Sequence, residues 1–347
     1  MMQRLRAFSM IVILMLVLSG CRAEKTAKNE EADVPVKEQE VQGAITPEEK
    51  EIQDFFEKYV RTEERPVAIM VDNDDDKARP HAGLNEAYLI YEMLIEGGST
   101  RFMALYRGTE TPKIGPVRSA RHYFLDYVME NDAIYTHYGW SPKAMQDIAS
   151  FRINKINGVL GSDDSIFWRE RKYKGDWHSA YTNIKNIKDM AASKKYSDET
   201  AHKNSIKYSK SYILPDSQTS ANEISLKYSY KYTTGYSYNI EKELYEKTIN
   251  GEPHIMQKGE VLEVKNIIIK LIEDTSLGDG SDRRNINTTG SGKGYYITNG
   301  RAIEIEWSKP SRRENTVYKK EDGTELTINP GKTIINVISP SAKITIE

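Results

Sequence analysis

The chain has 347 residues and one cysteine, Cys21, which closes its one long apolar run. No disulfide can form within it, so a fold of this size must be held by core packing alone. A zinc site built on several thiolates is excluded for the same reason. Hydrophobic residues make up 38% of the chain, with 22 Tyr and 4 Trp, which is enough for ordinary packed cores. Lys and Arg number 49 against 51 Asp and Glu, so no overall field directs the protein to nucleic acid or anionic lipid.

The run before Cys21 has three parts. Met1-Met2-Gln3-Arg4-Leu5-Arg6 is short and basic, residues 7–18 are apolar, and Leu18-Ser19-Gly20-Cys21 ends in small residues. That order is a secretory signal peptide, and the apolar part is too short for a comfortable permanent span. Ser19 and Gly20 let a peptidase approach the backbone, and the Cys21 thiol can take a lipid. The tetrapeptide resembles the lipobox of bacterial lipoproteins. It implies a signal peptide over 1–20, a lipidated Cys21 as first mature residue, and a protein held on the outer face of the cell membrane. Several acyl chains on one residue anchor stably where one would be marginal. Residues 21–45, rich in Glu, Lys and Ala, cannot bury a core and read as a disordered tether.

Folded sequence begins at Thr46-Pro47-Glu48-Glu49, which has an N-cap, a proline at the first helical position and a Glu three residues after the cap. Ile52, Phe55, Phe56, Tyr59 and Val60 then form an apolar stripe, so this helix is expected to dock on the first domain. Residues 66–71 read as a buried strand with a polar end at Asp72-Asn73. Helices are expected over 85–95, over 120–130 capped by Ser119, after Ser141-Pro142, and from Thr182 to about 193. Strands are expected over 100–106 and 133–137. This alternation predicts an α/β domain over 46–205 with a mixed or parallel sheet. From 222 to 347 strand signals dominate and a β-rich second domain is expected, with hairpins at Asn299-Gly300 and Asp322-Gly323. Residues 278–294 read as a long polar loop, and Gly290-Ser291-Gly292-Lys293-Gly294 as a flexible turn without P-loop spacing.

Three segments of the first domain hold more charge than their apolar settings explain. Glu92 and Glu96, four apart on the expected helix, repel unless a cation or proton intervenes. Arg118 and Arg121 bracket an expected helix N-terminus, where free N–H groups attract anions. Arg169 follows Trp168, with Trp177-His178 just beyond; Arg101 opens the strand after Glu96; His137 ends another. The arginines either pair with Glu92 or Glu96, or form an anion site with their bidentate forks. The glutamates are either Arg-paired or one is an acid of raised pKa. The histidines are either satisfied by hydrogen bonds or one is a base. No close-spaced ligand pair supports a metal, and no motif calls for a cofactor. Tyr228, Tyr230 and Tyr232, alternating on an expected strand, form either a core face or a platform for sugar rings.

Residues 92–102, 115–121, 137–142 and 168–178, with 294–307, Asp322-Gly323 and Gly331-Lys332-Thr333 behind them, resemble the YerB-like lipoproteins of Gram-positive bacteria. The resemblance covers nearly everything from Pro66 onward. It implies a lipoprotein of two domains and carries over no catalytic residues, because the family's function is undefined. Three readings follow. The first is a membrane-anchored protein binding an anionic envelope ligand or partner through Arg101, Arg118, Arg121 and Arg169. The second is a cell-wall glycan or peptide hydrolase or lyase, with Glu92 or Glu96 as acid and His137 or His178 as base. The third is a structural scaffold. Cys21→Ala is expected to block lipid transfer and signal cleavage; detergent-phase partitioning and metabolic lipid labelling of the variant check this.

Overall fold

Local sequence sets most elements of the first half. The computed structural model describes residues 45–347 apart from 201 and 203; the signal peptide, Cys21 and nearly all of the tether lie outside the described residues. Thr46 caps α1 (Pro47–Phe55) with the full capping box, its hydroxyl accepting from Glu49 N. Ile52 and Phe56 are buried, and the Phe55 and Tyr59 rings meet Tyr208 and Tyr88. Strands β1 (Val67–Asn73), β2 (Leu89–Leu94) and β3 (Thr100–Tyr106) are buried along their whole length. Then come α2 (Leu125–Glu130), β4 (Ile134–His137), α3 (Pro142–Phe151), β5 (Lys155–Asn157), the ribbon β6 (Trp168–Arg169) and β7 (Ala180–Tyr181), and α4 (Ile184–Ser193). Ser141 caps α3 as expected, whereas α4 takes Asn183 as its cap in place of Thr182.

The second half is nearly all strand: β8 (Glu223–Lys227), β9 (Thr233–Asn239), β10 (Leu244–Ile249), β11 (Glu252–Pro253), β12 (Glu263–Val264), β13 (Asn266–Leu271), β14 (Asp274–Ser276), β15 (Arg284–Ile286), β16 (Gly290–Thr298), β17 (Arg301–Lys309), β18 (Val317–Lys320), β19 (Thr333–Ile338) and β20 (Lys343–Ile346). The architecture is thus the expected α/β segment with a mixed sheet and few helices, followed by a strand-rich one. Asn299-Gly300 forms the two-residue hairpin turn, with Thr298 opposite Arg301.

Four expectations are corrected. Residues 85–95 are not a helix: after a single 3-10 turn (Leu84–Glu86) they form β2. Every residue of β2 is buried, so its apolar residues occupy both faces and mimic helical spacing. The Ser119 hydroxyl donates to Tyr138 O, and α2 begins only at Leu125 after a 3-10 turn, so no helix N-terminus lies between Arg118 and Arg121. The strand at 223 ends at Lys227; the chain then turns on Ser229, which buries Tyr228 and Tyr232 and leaves Tyr230 exposed. The polar loop is shorter than expected, because Gly290 to Gly294 belong to β16. There Gly292 lies under Trp307, and a Cβ on it would come within 2.9 Å of that ring.

The two segments share one sheet. Ten strands run in the order β18-β17-β16-β13-β19-β2-β3-β1-β4-β5, so β13 and β16 to β19, all from the second half, continue the sheet of the first. The join is parallel, Thr333 to Val337 lying against Leu89 to Met93. Six further strands (β11-β10-β9-β8-β20, with β12 on β10) form a second sheet. One face of the large sheet (Val67, Ile69, Ile90, Phe102, Ala104) packs with Ile224, Leu226, Tyr236 and Tyr245 of the second sheet. The other face (Ala68, Met70, Tyr91, Met103) packs with Phe124, Tyr127 and Ile148. No helix among the described residues is long and apolar enough to cross a membrane. Ile335, fully buried in β19, tests the join. Ile335→Ala is expected to cost about 2–5 kcal/mol and to lower one cooperative calorimetric transition; two independent transitions would show that the segments fold separately.

Candidate functional site

Strands β1, β2, β4, β5, β13 and β19 share one direction, so their carboxyl ends gather at one edge of the sheet. Such edges are where open α/β sheets place ligands. At this edge the chain buries a carboxylate. Asp72, the penultimate residue of β1, has no exposed surface. His178 Nδ1 lies 2.7 Å from its Oδ2, Arg118 Nε 3.0 Å from the same oxygen, and Arg101 Nη2 3.8 Å from Oδ1. Arg118 Nε lacks hydrogen-bond geometry, so that contact is a charge pairing. Burial alone would raise the Asp72 pKa, but the His178 hydrogen bond and the two guanidinium charges bring it below the ordinary carboxylate value.

A carboxylate only accepts, so His178 donates through Nδ1–H and its free position is Nε2. That nitrogen is buried, 3.7 Å from Asp75 Oδ1, and without a hydrogen-bond partner among the described residues. Burial opposes protonation of His178, yet the hydrogen bond and charge of Asp72, then the charge of Asp75, raise its pKa above the usual value. Asp176 holds the loop in place, accepting from His178 N and Lys172 N.

Of the four arginines read from the sequence, Arg101 and Arg118 meet at Asp72, while Arg121 and Arg169 are held by other partners. Arg101 Nη1 donates to Ser119 O, and burial with the neighbouring Arg121 and Arg118 charges pulls its pKa to about 10. Arg121 grips Glu96 with Nε and Nη2; although burial opposes it, this pairing takes Glu96 to about 2. Arg169 stacks 4.2 Å above the Tyr138 ring, and Tyr138 N donates to Arg118 O. Arg118 differs from the rest: its side chain is 24% exposed, and neither Nη makes a hydrogen bond among the described residues.

His137 and Glu92 are held apart from this cluster. His137 donates through Nδ1 to Gly139 O, and burial drops its pKa to about 4, so it is neutral. Glu92 projects from the other face of the sheet. It is fully buried and accepts from Thr100 (2.7 Å), Tyr232 (3.0 Å) and Thr234 (3.1 Å), with Lys247 at 3.4 Å. Its partner is therefore Lys247, not an arginine. Beside it His81 donates through Nε2 to Asp72 O and accepts from His254 Nε2 at 2.7 Å. Asp72, His81 and His254 were not legible as site residues. The sole signal was a run of acids, Asp72-Asn73-Asp74-Asp75-Asp76, closing a buried strand. Among the described residues no three His, Cys, Asp or Glu side chains are placed to hold a metal.

Asp72→Asn leaves Arg101 and Arg118 without their anion, so a loss of about 3–5 kcal/mol is expected in urea melts. The pH dependence has two signs. Glu96, with its folded pKa depressed, stabilises above about 4.5 and loses that contribution as pH falls toward 2, so wild type and Glu96→Gln should converge on acidification. His178, with its folded pKa raised, contributes most below about 6.5 and less as pH rises, so wild type and His178→Gln should converge toward alkaline pH.

Comparison with known proteins gives one consistent picture. Residues 57–197 match the N-terminal domain, and residues 224–335 the C-terminal domain, of "Protein of unknown function (DUF3048)". The Bacillus subtilis protein named "Putative lipoprotein YerB" is 33% identical over 291 residues, spanning 80% of this chain and 82% of its own length. A crystal structure of that YerB protein superposes with a TM-score of 0.71 at 31% identity, covering 82% of this chain and 94% of the other.

Proposed function

We propose, for a chain that belongs to the two-domain DUF3048 family, a lipid-anchored protein on the outer face of the cell membrane that binds an anionic envelope ligand at its carboxyl edge. The leader pattern ending in Cys21 and the relative's name as a lipoprotein support the anchor. One observation carries the binding reading: a single buried carboxylate holds Arg118 and His178 while, among the described residues, both Nη groups of Arg118 and Nε2 of His178 make no hydrogen bond. A group used only to close an ion pair would turn its fork onto the carboxylate; Arg118 touches Asp72 with Nε and keeps its outer nitrogens open.

Recognition rests on directed donors more than on net charge: Arg101, Arg118 and Arg121 face Asp72 and Glu96, and Asp75 and Asp176 lie against His178, so the cluster carries no net positive charge even when His178 is protonated. An anion entering between Arg118 and His178 meets the Nη donors of Arg118 and, when His178 is protonated, its Nε2–H, both side chains being held by Asp72, and requires little reordering.

The hydrolase or lyase reading keeps one observation, the Asp72–His178 dyad with Nε2 free, which is how a general base is oriented. Its acid would have to come from elsewhere, since Glu92 is enclosed and Glu96 is paired with Arg121. Thermal melts of the wild type with phosphate, citrate or muropeptide are expected to rise, by about 2.7 kcal/mol of stabilisation at a hundredfold excess over Kd. Arg118→Gln is expected to fold and lose that response. A wild type indifferent to all three anions removes the binding reading, and soluble products from peptidoglycan, seen by mass spectrometry, would favour the hydrolase.

A further inference from the structure

We propose that the anion taken by this edge is a membrane lipid headgroup, recognised at the bilayer surface with exposed aromatic and aliphatic side chains seated beside it. The inference rests on the anion-site reading and names its ligand class.

The observation is what lies next to His178 and to the Tyr138-Gly139 segment. Trp177, next to His178 with rings 5.7 Å apart, is 59% exposed, and Tyr173 in the same loop is 44% exposed. Val159 is 51% and Leu160 39% exposed. Val159 follows β5 and lies near Gly139, so it adjoins Tyr138, over which Arg169 stacks. A site for a small soluble anion does not call for large apolar side chains held out in water. Trp and Tyr beside Arg and Lys are the side chains that settle at the water–hydrocarbon boundary.

The aromatic loop is rigid. Asp176 accepts from Lys172 N and His178 N, the Ser179 hydroxyl donates to Asp176 O, and Lys172 Nζ donates to the carbonyls of Lys77 and Arg79. Presenting Trp177 therefore requires no ordering on contact. Arg171, Lys172 and Lys174 are exposed in this loop, while Glu170, Asp75 and Asp76 nearby offset them. The local field is close to balanced, so diffuse attraction to an anionic surface is weak, and recognition must come from one headgroup seated at Arg118. The 25 residues from Cys21 to Ile45 have a contour length of at most about 90 Å.

The full lipidated chain is reconstituted in vesicles of brominated phosphatidylglycerol with phosphatidylcholine, and in brominated phosphatidylcholine alone. Tryptophan quenching is compared between wild type and Trp177→Phe, which isolates Trp177 from the other three tryptophans. The expected result is stronger quenching of the wild type than of the variant in phosphatidylglycerol, no difference in phosphatidylcholine, and loss of the difference in Arg118→Gln. Equal quenching of wild type and Trp177→Phe in phosphatidylglycerol overturns the proposal. Soluble glycerol phosphate separates the two readings: a thermal shift without Trp177 quenching keeps the anion site and rejects the lipid, whereas neither signal rejects both.

Discussion

Parallel pairing of Thr333–Val337 with Leu89–Met93 is the contact on which the rest of the fold depends. It places β19, from near the end of the chain, at the centre of a ten-stranded sheet, so neither half completes its sheet without the other. With no disulfide possible, this non-local pairing and the two cores on either side of it carry the stability. It also sets the cost of the buried charges, since Glu92 in β2 lies between the two sheets and is tolerated only because three hydroxyls and Lys247 surround it.

The same pairing brings the parallel strand ends to one edge, and there a second buried carboxylate is compensated differently. Glu92 is enclosed on every side, whereas Asp72 is held by groups that keep capacity to spare: among the described residues the outer nitrogens of Arg118 and Nε2 of His178 make no hydrogen bond. A saturated network rigidifies a core; a network with donors left at its rim can receive a ligand. This contrast, within one sheet and about twenty residues of sequence, is the physical basis for placing function at Asp72 and structure at Glu92.

Much of this was legible in the sequence where the signal is local. The Thr46 and Ser141 caps and the Asn299-Gly300 turn follow from neighbouring residues alone. The four arginines could be picked out because charge in apolar surroundings needs an explanation. Glu96 was legible as a partner of Arg121, but Asp72 was not, and the pairings Asp72–His178, 106 positions apart, and Glu92–Lys247, more distant still, leave no local signal. Strand β2 has a helix-like sequence because burial on both faces erases the alternation that distinguishes the two. The tyrosines at 228 and 232 looked like a row; their hydroxyls instead serve Glu92 and Asn336 from a turn.

Direct measurement of the His178 pKa by imidazole NMR tests the central claim, with its resonance identified among the six histidines by comparison with His178→Gln. The expected value lies above 6.5 in the free protein, rises further when glycerol phosphate is added, and falls in Asp72→Asn. A value below 6.5 that does not respond to the anion would contradict the claim that Asp72 holds His178 ready for a negatively charged ligand.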